Sequence, residues 1–376
     1  MVSSSGTSVF YAILNAVAPR KVDMNFFSTA VIHVMNIITA LLHFVLPKDA
    51  EALASAAMIG SLFTIWALPG GLVYGLCRWL GVAYLLPYVG AMYLAVIWLD
   101  PQHLKAPSDK PAHSKFRKLN ALESASLAFW TSHFDYFPLT CVFGKGAKDA
   151  IDPNRQYVFA VHPHGIHCWP LNVFAFVTST FYDAFPGMRI CGAAATIMFK
   201  LPVIREMFLT MQYRDAGRKT CERVLKSRRS LFICTGGEAE SMATVTGEDR
   251  VVLEGRHGFV RLALSWGCPL VPVYGLGVTD LYTTHAVAAG FRRWLQKACH
   301  VALPVFHGRW FTPIPHQVPV KVLIGKPIEV PAPSEPGARP SDALVEEYHA
   351  KYVAALRELY DAHSGKPKGS LQVIGS

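Results

Sequence analysis

The chain has 376 residues, 52% of them hydrophobic and 16% charged, with a mean hydropathy of +0.27; this balance suits a protein partly solvated by lipid, and core size is not limiting. Lys and Arg outnumber Asp and Glu by 36 to 26, which points to an anionic membrane surface or a phosphate-bearing ligand; nucleic acid is not expected as a partner, because the basic residues are scattered and no finger spacing or RNP-like motif occurs. The eight cysteines form no C-x-x-C pair, which argues against a zinc site and against a small disulfide scaffold; they read as mostly buried thiols in a reducing compartment or in membrane.

From Phe26 to Leu46 run 21 residues without a charge, and from Ala52 to Leu99 the only charge is Arg78. Each stretch is long enough for a membrane-spanning helix of roughly 20 residues. Three segments are expected, at 26–46, 53–77 and 79–99, with Arg78 at a turn where its head reaches the interface. Thr29, His33, Asn36 and His43 line one helical face of the first, which packs on the other two or lies in the interface. Lys105, Lys110, Lys115, Arg117 and Lys118 follow among prolines, so by the positive-inside rule this flank and the domain beyond it face the cytosol. Residues 1–100 are therefore expected to form a membrane anchor and 101–376 a second domain.

After residue 150, short apolar runs at Tyr157–Val161, Met188–Cys191, Leu231–Cys234, Leu270–Tyr274 and Val320–Ile324 read as strands. Helical patterns occupy Arg218–Arg229, Gly258–Trp266 and Ser341–Tyr360, the last after a Pro-rich connection at Pro331–Pro340. The alternation predicts an α/β domain with a mostly parallel sheet flanked by helices. Chemistry is then expected in loops after the strands' C-terminal ends.

Three such loops carry candidate residues. The run Val158–Val161 ends in His162-Pro163-His164-Gly165, where Pro163 fixes its own φ and Gly165 tolerates dihedrals that other residues avoid. An imidazole presented there can take a proton near neutral pH, as a hydroxyl acceptor requires before attacking a thioester; the alternative is a histidine pair satisfying turn carbonyls. The run Leu231–Cys234 leads into Thr235-Gly236-Gly237-Glu238-Ala239-Glu240, where a carboxylate can orient the imidazole or bind polar substrate groups, or simply favour a helix N-terminus. Arg256 and Arg261 flank Gly258 and Phe259 at a helix start, where guanidinium groups can hold phosphate oxygens or remain solvated. Phe291–Lys297, with Trp310 and Phe311, mixes basic and aromatic residues and reads as a membrane-surface or ordinary amphipathic segment; the charges of the last helix read as a solvated face.

The ordered set of motifs resembles the diacylglycerol acyltransferase type 2 family, which also contains monoacylglycerol and wax-alcohol acyltransferases. Tyr136-Phe137-Pro138 is similar to its YFP motif, His162–Gly165 to HPHG, Gly236, Gly237 and Glu240 to G-G-x-x-E, and Arg256, Gly258 and Phe259 to R-x-G-F. Ala263, Gly267 and Leu270–Val273, Gly325–Ile328, and Tyr348, His349 and Tyr352 continue the likeness, which covers about 120–365. The stretch Asp215–Glu222 is most similar to the algal branch. One departure stands out: where the family usually reads F-G-E, this chain has Leu276-Gly277-Val278.

The resemblance implies an acyl-CoA-dependent enzyme of the endoplasmic reticulum membrane and lipid droplets, its catalytic domain facing the cytosol. It would transfer a fatty acyl group to diacylglycerol to make triacylglycerol, with acyl-CoA as co-substrate and no cofactor or metal. Its fold would be like that of the phosphate-type glycerolipid acyltransferases, whose base pair is His-x4-Asp. Here the fourth residue after His162 is Ile166 and after His164 is Cys168, so the partner must come from elsewhere, and Glu240 is the hypothesis. His164 or His162 is expected as the base, with the backbone near Gly165 or Arg256 on the oxyanion. Cys168 raises a second mechanism, an acyl-enzyme on its thiolate. The competing functions are transfer to monoacylglycerol or a wax alcohol, and non-catalytic lipid binding at droplets.

Overall fold

A computed structural model describes residues 77–107, 138–175, 180–202, 204–286, 304–309 and 315–375, together with Gly290 and Trp294. The chain divides into two compact units, Met1–Pro101 with Leu119–Ala128, and Gln102–Lys118 with Phe129–Ser376.

In the first unit the chain turns at Gly81, whose φ is 72° and whose N–H donates to the Arg78 carbonyl at 3.1 Å. After a 3-10 turn at Ala83–Leu85 comes helix α1, Leu86–Leu99. Pro87 sits in its first turn, where a missing N–H costs nothing because helix N-terminal donors have no acceptor within the helix. The expected single helix over 79–99 is therefore interrupted. The 14 residues of α1 reach about 21 Å, and among the described residues no helix is long and apolar enough to cross a membrane. The expected segment at 26–46, and that at 53–77 apart from Cys77, lie outside the described residues. Helix α1 is apolar on every side, and Tyr88, Met92, Leu94, Trp98 and Leu99 are exposed.

In the second unit, the strands are β1 Leu139–Phe143, β2 Val158–His162, β3 Ile190–Ala194, β4 Tyr213–Asp215, β5 Ser230–Cys234, β6 Arg250–Glu254, β7 Leu270–Leu276, β8 Thr283–His285, β9 Val305–His307, β10 Val320–Ile324 and β11 Gln372–Gly375. Seven of them form one sheet in the order β1-β10-β7-β2-β5-β3-β4. From β7 to β4 every neighbouring pair is parallel; β10 runs antiparallel to β7, so β1 and β10 make a reversed edge. β6 pairs in parallel with β11, and β8 with β9 in an antiparallel ribbon. The mostly parallel sheet matches the expectation, and the five expected strands correspond to β2, β3, β5, β7 and β10. Several of those not expected, such as β4 with Tyr213-Arg214-Asp215, are three or four residues long, too short to carry an apolar period of their own.

Strand β2 lies between β5 and β7 and is buried at every residue, as parallel strands covered on both faces are. Its alternation divides the core. Val158 and Ala160 face the helices α2 (Arg218–Lys226), α4 (Gly258–Trp266) and α5 (Asp342–His363), packing with Val224, Leu225, Val260 and Leu356. Phe159 points the other way, into rings of Phe174 and Phe181 at 5.1 and 5.7 Å. Fully burying such a side chain stabilises by about 1.5–3 kcal/mol. The short helix α3, Gly237–Ala243, follows β5.

Helix ends follow local chemistry. α2 stops three residues short of the expected Arg229, and Arg228 just beyond it has a φ of 54° that cannot continue a helix. α4 has the expected bounds and closes at Gly267, φ 62°, with Cys268 N–H returning to the Ala263 carbonyl at 2.9 Å. α5 is capped by Ser341, whose hydroxyl accepts the Leu344 N–H at 3.2 Å, and runs three residues past the expected Tyr360.

Among the described residues Cys191, Cys221 and Cys268 are buried, and burial pushes each thiol up to about 12. Cys77, Cys141, Cys168 and Cys234 are only half-buried, so the expected mostly buried set holds for three of these seven thiols.

Candidate active site

The parallel strands β2 and β5 end side by side, with Val161 opposite Cys234, so His162, the last residue of β2, and Thr235, the first after β5, lie together at the sheet's C-terminal edge. By the same alternation as Val158 and Ala160, His162 faces the helices. It is fully buried, and both ring nitrogens are held: Nδ1 lies 3.1 Å from Oε1 of Glu240, and Nε2 lies 2.8 Å from the Thr235 hydroxyl. A carboxylate only accepts, so Nδ1 carries the hydrogen, and in the neutral ring Nε2 accepts from Thr235.

Glu240 is 1% exposed and collects three donors. Oε1 accepts from His162 Nδ1 and from the Val252 N–H of β6 at 2.8 Å, and Oε2 accepts the backbone N–H of His164 at 2.7 Å. A buried carboxylate is tolerable only when its lone pairs are met in this way. α3 brings Glu240 inward over Gly236: a Cβ on Gly236 would sit 2.4 Å from the Glu240 carboxyl carbon, so only glycine fits beneath it. Gly237, with φ 55°, opens that helix.

The turn itself is His162-Pro163-His164-Gly165, with a cis peptide between His162 and Pro163. His164 is half-buried. Its Nδ1 lies 2.9 Å from the Gly165 carbonyl, which can only accept, so Nδ1 carries the hydrogen and Nε2 keeps its lone pair. Among the described residues that Nε2 has no partner, and the Gly165 N–H has no acceptor. Gly165 has φ 61°, and a Cβ there would meet Val278 Cγ1 at 2.6 Å. Val278, at the position of the family acid, is 2% exposed and packs directly against this turn.

His162, Pro163, His164, Gly165, Gly236, Gly237 and Glu240 therefore form one cluster. Phe259 is linked to it through Tyr352, whose ring lies 4.8 Å from Phe259 and 6.1 Å from His162, and whose hydroxyl donates to the Ala160 carbonyl at 2.9 Å. Arg256 lies in the turn between β6 and α4, and Gly258 and Arg261 lie in the first turn of α4. Arg261 pairs with Asp342 at 2.8 Å, whereas Arg256 is half-buried without an ion pair among the described residues. Pro138 directly precedes β1, and Tyr136 and Phe137 lie outside the described residues. Cys168, raised as a nucleophile, is half-buried; the neighbouring Cys234 thiol is pushed well up by burial and then by Cys168.

Three residues of this cluster were not singled out from sequence: Thr235, Val252 and, as a wall, Val278. Thr235 had a usable signal, since a hydroxyl one residue past a parallel strand lies beside the residue that ends its neighbour, here His162. Val252 contributes only its backbone, which no residue type advertises.

A profile of the diacylglycerol acyltransferase family matches residues 88–372. The human acyl-CoA wax alcohol acyltransferase 2 is 33% identical over 252 residues, 63% of this chain and 73% of the relative. The bovine diacylglycerol O-acyltransferase 2 is 33% identical over 257 residues, 64% of this chain and 68% of the relative. A solved 1-acyl-sn-glycerophosphate acyltransferase from Thermotoga maritima superposes with a TM-score of 0.40 at 14% identity, covering 75% of this chain and 91% of that one, too loosely to bear on the site. With a profile match across most of its length and relatives that carry acyl groups to lipid hydroxyls by name, the chain belongs to the diacylglycerol acyltransferase family and is an acyltransferase.

Proposed function

We propose that the protein transfers a fatty acyl group from acyl-CoA to the free hydroxyl of diacylglycerol, with Nε2 of His164 as the general base. One observation carries the assignment: within the turn, His164 Nε2 keeps an imidazole lone pair, while both nitrogens of His162 are taken. The lipid hydroxyl gives its proton to Nε2 as its oxygen attacks the thioester carbonyl carbon. The tetrahedral adduct then collapses with cleavage of the C–S bond, and the imidazolium returns the proton to the departing CoA thiolate. The His164 N–H is engaged by Glu240, so the Gly165 N–H is the turn's donor for the developing oxyanion. His162 and Glu240 position the turn, and Arg256 is the candidate for CoA phosphate.

Residues 1–100 anchor the enzyme in the endoplasmic reticulum membrane in this reading, with the second unit facing the cytosol. The long uncharged runs support it, as does α1, whose uncovered apolar sides suit lipid better than water. Relatives named for a wax alcohol and for diacylglycerol match equally well, at 33% identity, so a panel of acceptors with purified protein decides between them. His164→Ala in correctly folded protein should lower kcat at least about 100-fold. Turnover within a few-fold of wild type would reject His164 as the base.

A further inference from the structure

A second group of two histidines and one glutamate lies outside the catalytic turn. His257 precedes α4, and Glu346 and His349 stand three residues apart on one face of α5. His257 Nε2 is 3.2 Å from Glu346 Oε2, and the rings of His257 and His349 meet edge to face with centroids 4.6 Å apart. One ligand atom from each of the three residues lies within 4.8 Å of the other two.

His349 makes this more than a surface ion pair. It is 8% exposed, and its Nε2 lies 3.0 Å from the Leu253 carbonyl. A carbonyl only accepts, so Nε2 carries the hydrogen and Nδ1 presents the lone pair. Among the described residues Nδ1 has no hydrogen-bond partner. His349 nevertheless lines a groove of about 500 Å³ with His257, Glu346, Glu254 and Arg357. An imidazole whose other N–H is fixed on a backbone carbonyl is the arrangement that metal-binding histidines adopt.

We propose that His257, Glu346 and His349 hold one zinc ion that braces the β6–α4 turn against α5. Two imidazoles and one carboxylate suit zinc, with the fourth position open to water in the groove, whereas magnesium and calcium require more oxygen ligands than this group offers. Tetrahedral zinc with bonds of about 2.0–2.1 Å sets ligand atoms roughly 3.4 Å apart. The His257–Glu346 separation of 3.2 Å already meets that, and the set of three lies within 4.8 Å, a gap that a shift of the exposed Glu346 and half-buried His257 side chains toward buried His349 would close. No cysteine takes part, so the cysteine spacing that argues against a thiolate site does not bear on it. The ion braces the turn next to Arg256 and takes no part in the proposed proton transfer.

Full-length protein in detergent, stripped with a chelator, would be titrated with zinc chloride against a chromophoric chelator, with bound metal counted by mass spectrometry. Wild type and His164→Ala should each bind one zinc per chain. His257→Ala and Glu346→Gln, both at accessible positions, should each bind at least about tenfold more weakly. The proposal is overturned if wild type takes up no zinc, if those two variants bind as tightly as wild type, or if His164→Ala abolishes binding.

Discussion

Two parts of this protein are built from the same ingredients, a pair of histidines and a glutamate, and differ in burial. Around the turn after β2, His162 and Glu240 are buried, the carboxylate accepts three hydrogen bonds, and one imidazole nitrogen on His164 stays open. Where the turn after β6 meets α5, the glutamate is 68% exposed and touches a single histidine, while the buried histidine keeps its lone pair toward a groove. Residue type therefore does not decide the chemistry. What decides it is which nitrogen is left with a lone pair and how rigidly its surroundings hold it. A closed network holds its imidazoles in place; an open one, with an exposed carboxylate, leaves room for a cation.

The contrast is broken most directly at the two glutamates. Glu240→Ala should strand the His162 Nδ1–H and two backbone N–H groups in the interior, lowering stability by about 3–5 kcal/mol and abolishing transfer. Glu346→Ala, in zinc-free buffer, should change stability by less than about 1 kcal/mol. Chemical denaturation of both variants side by side tests this, and equal losses would show that the two carboxylates are not held differently.

A smaller effect is expected at Thr235. Thr235→Val keeps the shape and removes the hydroxyl that donates to His162 Nε2, at a cost of about 1–2 kcal/mol. If that contact positions the turn, kcat falls severalfold while the KM for acyl-CoA is unchanged, and Thr235→Ser restores kcat. A valine variant with wild-type kcat would mean that His162 needs no hold at Nε2.

The smallest change belongs to Arg261. Its pair with Asp342 is largely solvated, so Arg261→Ala should cost under about 1 kcal/mol in thermal unfolding. A larger loss would mean that the start of α4 depends on this contact more than on its packing through Phe259 and Val260.

Much of this arrangement was legible in the residues. The runs at β2, β5 and β7 are continuous and apolar because parallel strands are covered on both faces, and α4 shows its bounds because Gly258 and Gly267 punctuate an apolar period. The pairing of the His162–Gly165 turn with Glu240 was reachable as a hypothesis, since both follow strands that end at one sheet edge. The break at Gly81 and Pro87 was less visible, because hydropathy counts both as compatible with a long apolar run. The reversed edge of β1 and β10 was not readable at all, since strand direction leaves no mark on composition.

By itself the sequence determined the class of fold and the family, because these follow from apolar period, turn residues and short ordered motifs. Only the tertiary structure decided that His162 is tied at both nitrogens and His164 at one, and that His257 meets Glu346 and His349 across about ninety residues of chain. The physical reason is that a histidine's role depends on which ring nitrogen keeps its lone pair. That is set by acceptors and donors brought from distant strands, several of them backbone groups that every residue carries alike.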